Sequence, residues 1–407
     1  MSTDLLILIL IALISTAIVV RMIKRPSLSA TLLIISVPII SLFWGTNIGG
    51  ISVIELFYGS YFILLILLLF VGKRENRKGN NEIIYVAVFM SAFIWPYIIN
   101  PDFPFVFVAE SVFKAMFGPL TLIIVMYFWR AGDKSKYLNV TYGAVVLFLT
   151  AAAVQLITGI GVGEQKYSYI LGFYADEGSL SRAASLGVIM SLPVPGDDTW
   201  KSNRILVRSG ILLFSITVLG MSISRNAILG TGIIIVYYTL YTKKYHYAAF
   251  VAIAVFLIYS NISVVESGLT TKISREMSYI EGENVNVEYL GSGRVGRWLH
   301  AWEVFKKMPL LNKVFGSGAT YGPHGQYMEI LLRSGILGFI VVFGFYARYS
   351  IKVSKISKIE YPDIRYYIMG YLIYFWVMCL TATPIYEFFM QSVLFGTYGV
   401  YFVEVSK

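Results

Sequence analysis

The chain has 407 residues, 57% of them hydrophobic and only 14% charged, with a net charge of +10 and a mean hydropathy of +0.70. A soluble domain carries about a quarter charged residues, and no soluble core shelters so many apolar runs, whereas a bilayer accepts each run of about 17–20 residues as a span. The basic residues lie in small packets between those runs, as in loops that face a cytoplasm, so the charge points to membrane lipid and away from nucleic acid.

The first apolar run, 4–20, lacks a basic leader, is followed by Arg21 and Lys24, and has no small-residue cleavage signature. It reads as a retained span and not as a cleaved signal peptide. Further spans are predicted at 28–44, 56–72, 82–99, 115–130, 138–157, 179–194, 205–221, 226–242, 245–260, 335–348, 363–380 and 388–403. The one at 179–194 opens on SLSRAASL and ends at Pro193 and Pro195, the pattern of a half-helix or a re-entrant piece. Irregular backbone of that kind is tolerated where it is buried in protein or lines a cavity. The single cysteine, Cys379, lies in an apolar run and leaves no intramolecular disulfide to form.

Charge bias orients the spans. Arg21, Lys24 and Arg25 fill the first connection, Lys73, Arg74, Arg77 and Lys78 the third, and Arg130, Lys134 and Lys136 the fifth. Later odd connections carry Lys201 with Arg204, Lys243 with Lys244, and Lys352, Lys355, Lys358 and Arg365. The connections between them are poor in lysine apart from 261–334 and the one ending near Arg182. Alternation of this kind places the amino terminus outside and the carboxyl terminus inside. The predicted fold is thus an all-α polytopic membrane protein with about 12–13 transmembrane helices and a long outer helical loop. Residues 1–260 form an N-terminal helix bundle, 261–334 the large outer loop, and 335–407 the C-terminal helices of one integral membrane domain.

Ionisable groups at the outer ends of spans are candidates for function. Arg225 sits in MSISRNAILG, between two apolar runs with almost no loop. A helix amino terminus favours an anion, and an arginine beside it adds a planar fork suited to phosphate. The alternative is an arginine that snorkels to lipid headgroups. Arg182 follows Asp176, Glu177, Ser179 and Ser181, which are good helix-capping types. Arg294 and Arg297 lie in GSGRVGRWLHAWEVF, where the glycines suggest a turn and WLHAWEVF reads as an amphipathic helix with Trp298, Trp302 and Phe305 on one face. These arginines either lie wetted in the interface or aim at the same anion as Arg225.

His324 sits in GSGATYGPHGQYMEILLRSG, where glycines and a proline lead to a helix starting near Gln326. An imidazole there can deprotonate a hydroxyl or bond to a sugar, or serve as a structural hydrogen bonder. His246 falls beside the inner basic pair Lys243 and Lys244, and His300 lies in the amphipathic helix. No histidine pair has metal-ligand spacing, Asp197 and Asp198 fall on the inner side, and no P-loop or dinucleotide fingerprint is present. The expected reaction therefore uses no metal and no cofactor, and draws on a substrate that is already activated, such as a lipid-linked donor.

These stretches resemble the bacterial O-antigen ligase and Wzy-type O-antigen and polysaccharide polymerase superfamily. SISRNAILG at 222–230 is similar to the family's serine-arginine motif at a periplasmic helix turn. RVGRWLHAWEVFKKMPLLNKVFGSG at 294–318 is similar to its arginine-tryptophan helix leading through a proline to a Gly-x-Gly turn. HGQYMEILLRSGILG at 324–338 resembles the ligase pattern of histidine, then Asn, Ser or Gln, then nine residues, then Gly-x-x followed by Gly, Thr or Tyr, with Gly335 and Gly338 in register. It departs at Gly325, with Gln326 one position later. GFYADEGSLSRAASL at 172–186 resembles, more loosely, the entry to the family's mid-chain helix.

The resemblance implies a lipid-donor membrane glycosyltransferase in the bacterial inner membrane, with its active site facing the periplasm. Its donor would be an oligosaccharide on undecaprenyl pyrophosphate. His324, Arg225 and Arg297 would be catalytic, and Arg225, Arg297, Arg294 and Arg182 would bind pyrophosphate. Gln326 and Glu329 would orient the acceptor. Gly325 favours a polymerase that joins lipid-linked repeats, with a chain-length regulator protein as a further partner. The alternative is a ligase that transfers the glycan to lipid A core. A transporter for lipid-linked oligosaccharide is a third reading and predicts charges buried within spans and two related halves.

Overall fold

The computed structural model describes residues 80–101, 105–129, 134–158, 177–194, 202–222, 224–246, 290–318, 325–357 and 360–405, with isolated positions at 13, 35, 47–48, 51–52, 59–60, 63, 66, 249 and 251–252. The expected spans at 4–20, 28–44, 56–72 and 245–260 therefore fall almost wholly outside the described residues, as do 261–289 and His324.

Eleven α-helices are described: α1 (Asn80–Ile99), α2 (Phe105–Phe128), α3 (Lys134–Thr158), α4 (Glu177–Ser191), α5 (Ser202–Ser222), α6 (Arg225–Thr242), α7 (Leu290–Lys307), α8 (Leu310–Phe315), α9 (Gln326–Ser354), α10 (Pro362–Cys379) and α11 (Phe388–Val405). A 3₁₀ turn, Pro384–Tyr386, joins the last two. The described strands are β1 (Asn47–Ile48) and β2 (Ile51–Ser52), an antiparallel pair with Ile48 opposite Ile51. Asn47 stands opposite Ser52. The described residues are otherwise all-α. Among the described residues, three helices are long and apolar enough to cross a membrane: Asn81–Ile99, Ile205–Ser222 and Gln326–Ser354. Helix α4 stops at Ser191, two residues before Pro193, so the expected half-helix is a 15-residue one.

One continuous apolar core joins α1–α6 with α9–α11. Helix α11 packs closely on α2 because glycines leave room: a Cβ on Gly118 would stand 2.6 Å from the Phe395 ring, and one on Gly399 2.9 Å from Val125. Small residues at such seams let apolar helices gain dispersion contacts where hydrophobic burial gives little. Aromatic rings bind α9 to α10 and α11. Tyr346 stacks on Phe375 at 4.1 Å between centroids, and Tyr349 meets Tyr398 edge-on at 4.5 Å. The Tyr346 hydroxyl donates to Gln391 Oε1 at 2.8 Å, and Gln391 Nε2 donates to the Pro384 carbonyl at 2.8 Å.

Helices α1 and α9 run antiparallel and are pinned at both ends. At the Ser354 end, the buried Glu82 carboxylate accepts from Arg348 (2.7 and 3.0 Å), Lys352 (2.7 Å) and the Tyr349 hydroxyl (2.7 Å). At the Gln326 end, Arg333 donates to the Tyr97 hydroxyl at 3.2 and 3.3 Å. Fifteen residues separate the two pinning positions on each helix, roughly 22 Å at 1.5 Å per residue. Phe89 fills the interval against Phe345 at 4.7 Å.

A carboxylate only 3% exposed is tolerated because several donors surround it. Glu82→Leu removes the acceptor and strands two cations, so it should lower unfolding stability in detergent by about 3–5 kcal/mol. Adding Arg348→Met should recover part of that loss. Thermal melts of the two variants check this, and an unchanged melting temperature for Glu82→Leu would refute the clasp.

Candidate functional site at the start of α9

The candidate site is built on a fault in α9. Gly335 has φ 70° and ψ −172° inside the helix, a conformation open to glycine. The ladder breaks there, so the carbonyls of Leu332 and Arg333 lose intrahelical partners. Both are taken up by the Gly316–Gly318 turn. Ser317 donates through its N–H and its hydroxyl to the Leu332 carbonyl at 3.1 Å each, and the Gly318 N–H donates to the Arg333 carbonyl at 3.0 Å. Gly316 (φ 91°) lies so close to the Arg333 carbonyl, and Gly335 to the Val314 carbonyl, that neither position has room for a Cβ. Pro309 opens α8 and Gly316 closes it, so the proline and the Gly-x-Gly turn of the sequence deliver donors to the break. The helix expected near Gln326 and the span expected from 335 are thus two pieces of one broken helix.

The short piece, 326–334, carries the polar groups. Arg333 is 6% exposed. Its Nη1 donates to the Tyr386 hydroxyl at 3.1 Å, and Glu329, one turn earlier and also buried, stands 3.8 Å away. Burial pushes the Tyr386 phenol up to about 12, against the opposing pull of Arg333, so it stays a neutral hydroxyl at ordinary pH. The Tyr97 hydroxyl donates to the Gly318 carbonyl at 3.2 Å. The Trp95 indole donates to the Ser334 carbonyl at 3.3 Å and Asn100 to the Gly316 carbonyl at 3.4 Å. Gln326 is fully buried, and its Oε1 accepts from the Ile385 N–H at 3.1 Å.

Other elements converge on the same end. Arg182 of α4 forms an ion pair with Glu387, just beyond the 3₁₀ turn. Arg294 of α7 donates to Asn226 Oδ1 at 3.3 Å, which brings the start of α7 against the start of α6. Arg225 is the first residue of α6, with its side chain outside the described set. Arg297 and His300 are exposed on α7. Helix α7 lies on α9 through Ala301, Phe305 and Met308, which meet Leu332. Trp302 does not join that face as the sequence pattern suggested: it is 45% exposed and stacks on the flank of Phe305 at 5.5 Å. Its place is taken by Ala301, because the buried positions recur at 301, 305 and 308.

Of the residues singled out by the sequence, Arg294, Arg182, Gln326 and Glu329 lie toward this end; Arg333, Tyr97 and Tyr386 are not among those singled out. Arg333 stands just before an apolar run, within the expected outer loop. Its tyrosine partners come from 236 and 53 positions away, a separation that no local pattern reveals.

Gly325 has an ordinary extended conformation, φ −159°, so backbone strain does not explain it. Space does. A Cβ there would stand 2.9 Å from the Trp298 indole nitrogen and 3.1 Å from the Leu380 carbonyl. Gly325→Asn should therefore destabilise by about 1–3 kcal/mol through overpacking, and Trp298→Ala in the same chain should relieve most of it. Melting temperatures of the single and double variants check this; additive losses would refute the shared volume.

Among the described residues no group of three or more His, Cys, Asp or Glu side chains is placed to hold a metal ion. No protein-family model matches the chain, and a search of characterised proteins finds no match.

Proposed function

We propose that the chain is a multi-pass glycosyltransferase of the bacterial plasma membrane. It polymerises oligosaccharide repeats carried on undecaprenyl pyrophosphate, at the outer face. The observation that carries this reading is the convergence of the arginine-bearing starts of α4, α6 and α7 on the start of α9. Arg294 is hydrogen-bonded to Asn226, one residue from Arg225, and Arg297 lies one turn from Arg294. The resemblance in 222–230, 294–318 and 324–338 supports it independently of the packing. On this reading the chain crosses the membrane about 12–13 times, and the end bearing Gln326 faces outward.

Cleavage of the anomeric C–O bond leaves negative charge on the departing pyrophosphate. Fixed cations and helix-end N–H groups stabilise such charge where it develops. Arg225, Arg297 and Arg294 take that role, with the N-terminus of α6 behind them. Arg182 is engaged by Glu387, so it holds the 3₁₀ turn in place. His324 accepts the proton of the acceptor hydroxyl as that oxygen attacks the opposite face of the sugar, which inverts the anomeric centre. Gln326 and Glu329 orient the acceptor from the first turns of α9. The apolar surfaces between spans take the polyprenyl chain.

Deletion of the gene, with surface polysaccharide resolved on a gel, tests the reading. A polymerase loss leaves single-repeat caps, whereas a ligase loss leaves bare core while lipid-linked polymer accumulates. Accumulated undiminished polymer on unmodified acceptor would therefore favour the ligase. Complementation with His324→Ala or Arg225→Ala should fail, with transfer reduced about 10²–10³-fold. Unaltered polysaccharide in the deletion strain would overturn both glycosyltransferase readings.

Transfer by the purified protein should also persist in excess EDTA, since the leaving group is stabilised by arginines. Loss of transfer that magnesium restores would refute this mechanism.

A further inference from the structure

Helix α7 divides its surroundings into three sectors. At 3.6 residues per turn, Ala301, Phe305 and Met308 share the side that packs on Leu332 of α9. His300 and Lys307 lie together on a second side and are exposed. On the third, Leu299 is 48% exposed and Trp302 45%, with Lys306 between them and paired to Glu303. Beyond Pro309, α8 adds Leu310, 78% exposed, and Leu311, 55% exposed, and no residue of α8 is buried. One side toward protein, one polar and one apolar is the arrangement of a helix that lies in a membrane interface.

The two ends of α7 stand at the same height. Its Arg294 end is hydrogen-bonded to Asn226, roughly 25 Å along α6 from Lys243, and its Met308 end packs on Leu332, roughly 24 Å along α9 from Arg348, at 1.5 Å per residue. Both reference points are basic, and on the membrane reading both mark the inner edge of the hydrocarbon. Helix α7 is then close to parallel with the membrane plane. A hydrocarbon core about 30 Å thick extends about 5 Å past both contacts, the depth at which interfacial helices bury an apolar side. Gly316, at the end of α8, packs on Arg333 and Ser334, and α9 presents its first exposed residue directly beyond them, at Ile336. The apolar strip therefore continues the belt that the spans turn outward.

We propose that the α7–α8 edge is seated in the outer leaflet, with Leu299, Trp302, Leu310 and Leu311 among the acyl chains and Lys306 extending its stem to the lipid phosphates. The occupant is phospholipid and not a second copy of the chain, because the strip continues that belt and carries a cation suited to phosphate. The assignment rests on the reading of the chain as a multi-pass membrane protein, and it deepens the proposed function. Arg294 and Arg297 ride on the same helix, so they are held near the headgroup plane, where the pyrophosphate of a lipid-linked donor sits.

The test uses the full chain with its single, buried cysteine replaced, Cys379→Ala, in bilayers of phosphatidylethanolamine and phosphatidylglycerol. Nitroxide labels are placed one at a time at Leu299→Cys, Leu310→Cys, Leu311→Cys, His300→Cys and Ile340→Cys, all exposed positions. Collisions with oxygen, which concentrates among acyl chains, are compared with collisions with a nickel chelate, which stays in water. The labels at 299, 310 and 311 should favour oxygen severalfold over the label at 300. Nickel access at those three positions equal to that at 300 would overturn the seat in lipid. So would spin–spin broadening at 310 that vanishes on dilution with unlabelled chain, which marks a second copy over the strip. The label at 340 separates this failure from failure of the membrane reading, since it favours oxygen if α9 spans the bilayer, whatever covers α8.

Discussion

The capture of two carbonyls at the Gly335 break is the interaction on which the rest of this end of the protein depends. A buried backbone carbonyl without a partner costs free energy, so the helix can break there only if other protein supplies donors. Ser317 and Gly318 do so. That requirement fixes the Gly316–Gly318 turn, which fixes α8, which sets where α7 can lie. It also turns the first nine residues of α9 into a separate short piece. The orientation of Gln326 follows from that turn.

The break is held from the other side as well. Tyr97 both accepts from Arg333 and donates to the Gly318 carbonyl, so one hydroxyl ties α1 to the short piece and to the turn. Trp95 and Asn100 repeat the pattern on Ser334 and Gly316. Helix α1 is in turn locked to the far end of α9 by Glu82. The broken helix is therefore backed by α1 from Arg333 to Lys352. The charges this uses are buried, but they sit at the two ends of the α1–α9 pair and are matched there, with aromatic rings between. Such an arrangement fixes register.

Local chemistry was legible in the sequence, and long-range pairing was not. Apolar length marked the helices that begin at Asn80, Ser202 and Arg225 to within a few residues, because a span is set by bilayer thickness alone. Pro193 marked the end of α4, since proline cannot continue a helix. The approach of glycines and a proline to Gln326 marked the helix start there. By contrast, Glu82 and Arg348 lie 266 positions apart and carry no shared local pattern. Gly335 showed its presence but not its positive φ, because an apolar run with one glycine is compatible with an unbroken helix. Arg333 illustrates the same limit: beside an apolar run it looks like a wetted flank, and only the fold puts two tyrosines around it.

Gly325 brings these strands together. Read as sequence, it is a departure from the pattern that places Asn, Ser or Gln after the histidine, and so it weakens a ligase reading. Read as structure, it is one half of a substitution by packing. The indole of Trp298 and the carbonyl of Leu380 occupy the volume that a side chain at 325 would need, and the indole nitrogen stands close to where such a side chain would begin. An amide or hydroxyl at 325 would bring both donor and acceptor atoms to the helix start. Trp298 brings a donor only, and Gln326, whose oxygen is committed to Ile385, brings donors only. The glycine is thus required by the indole and the carbonyl packed against it, and not by a backbone conformation that only glycine adopts.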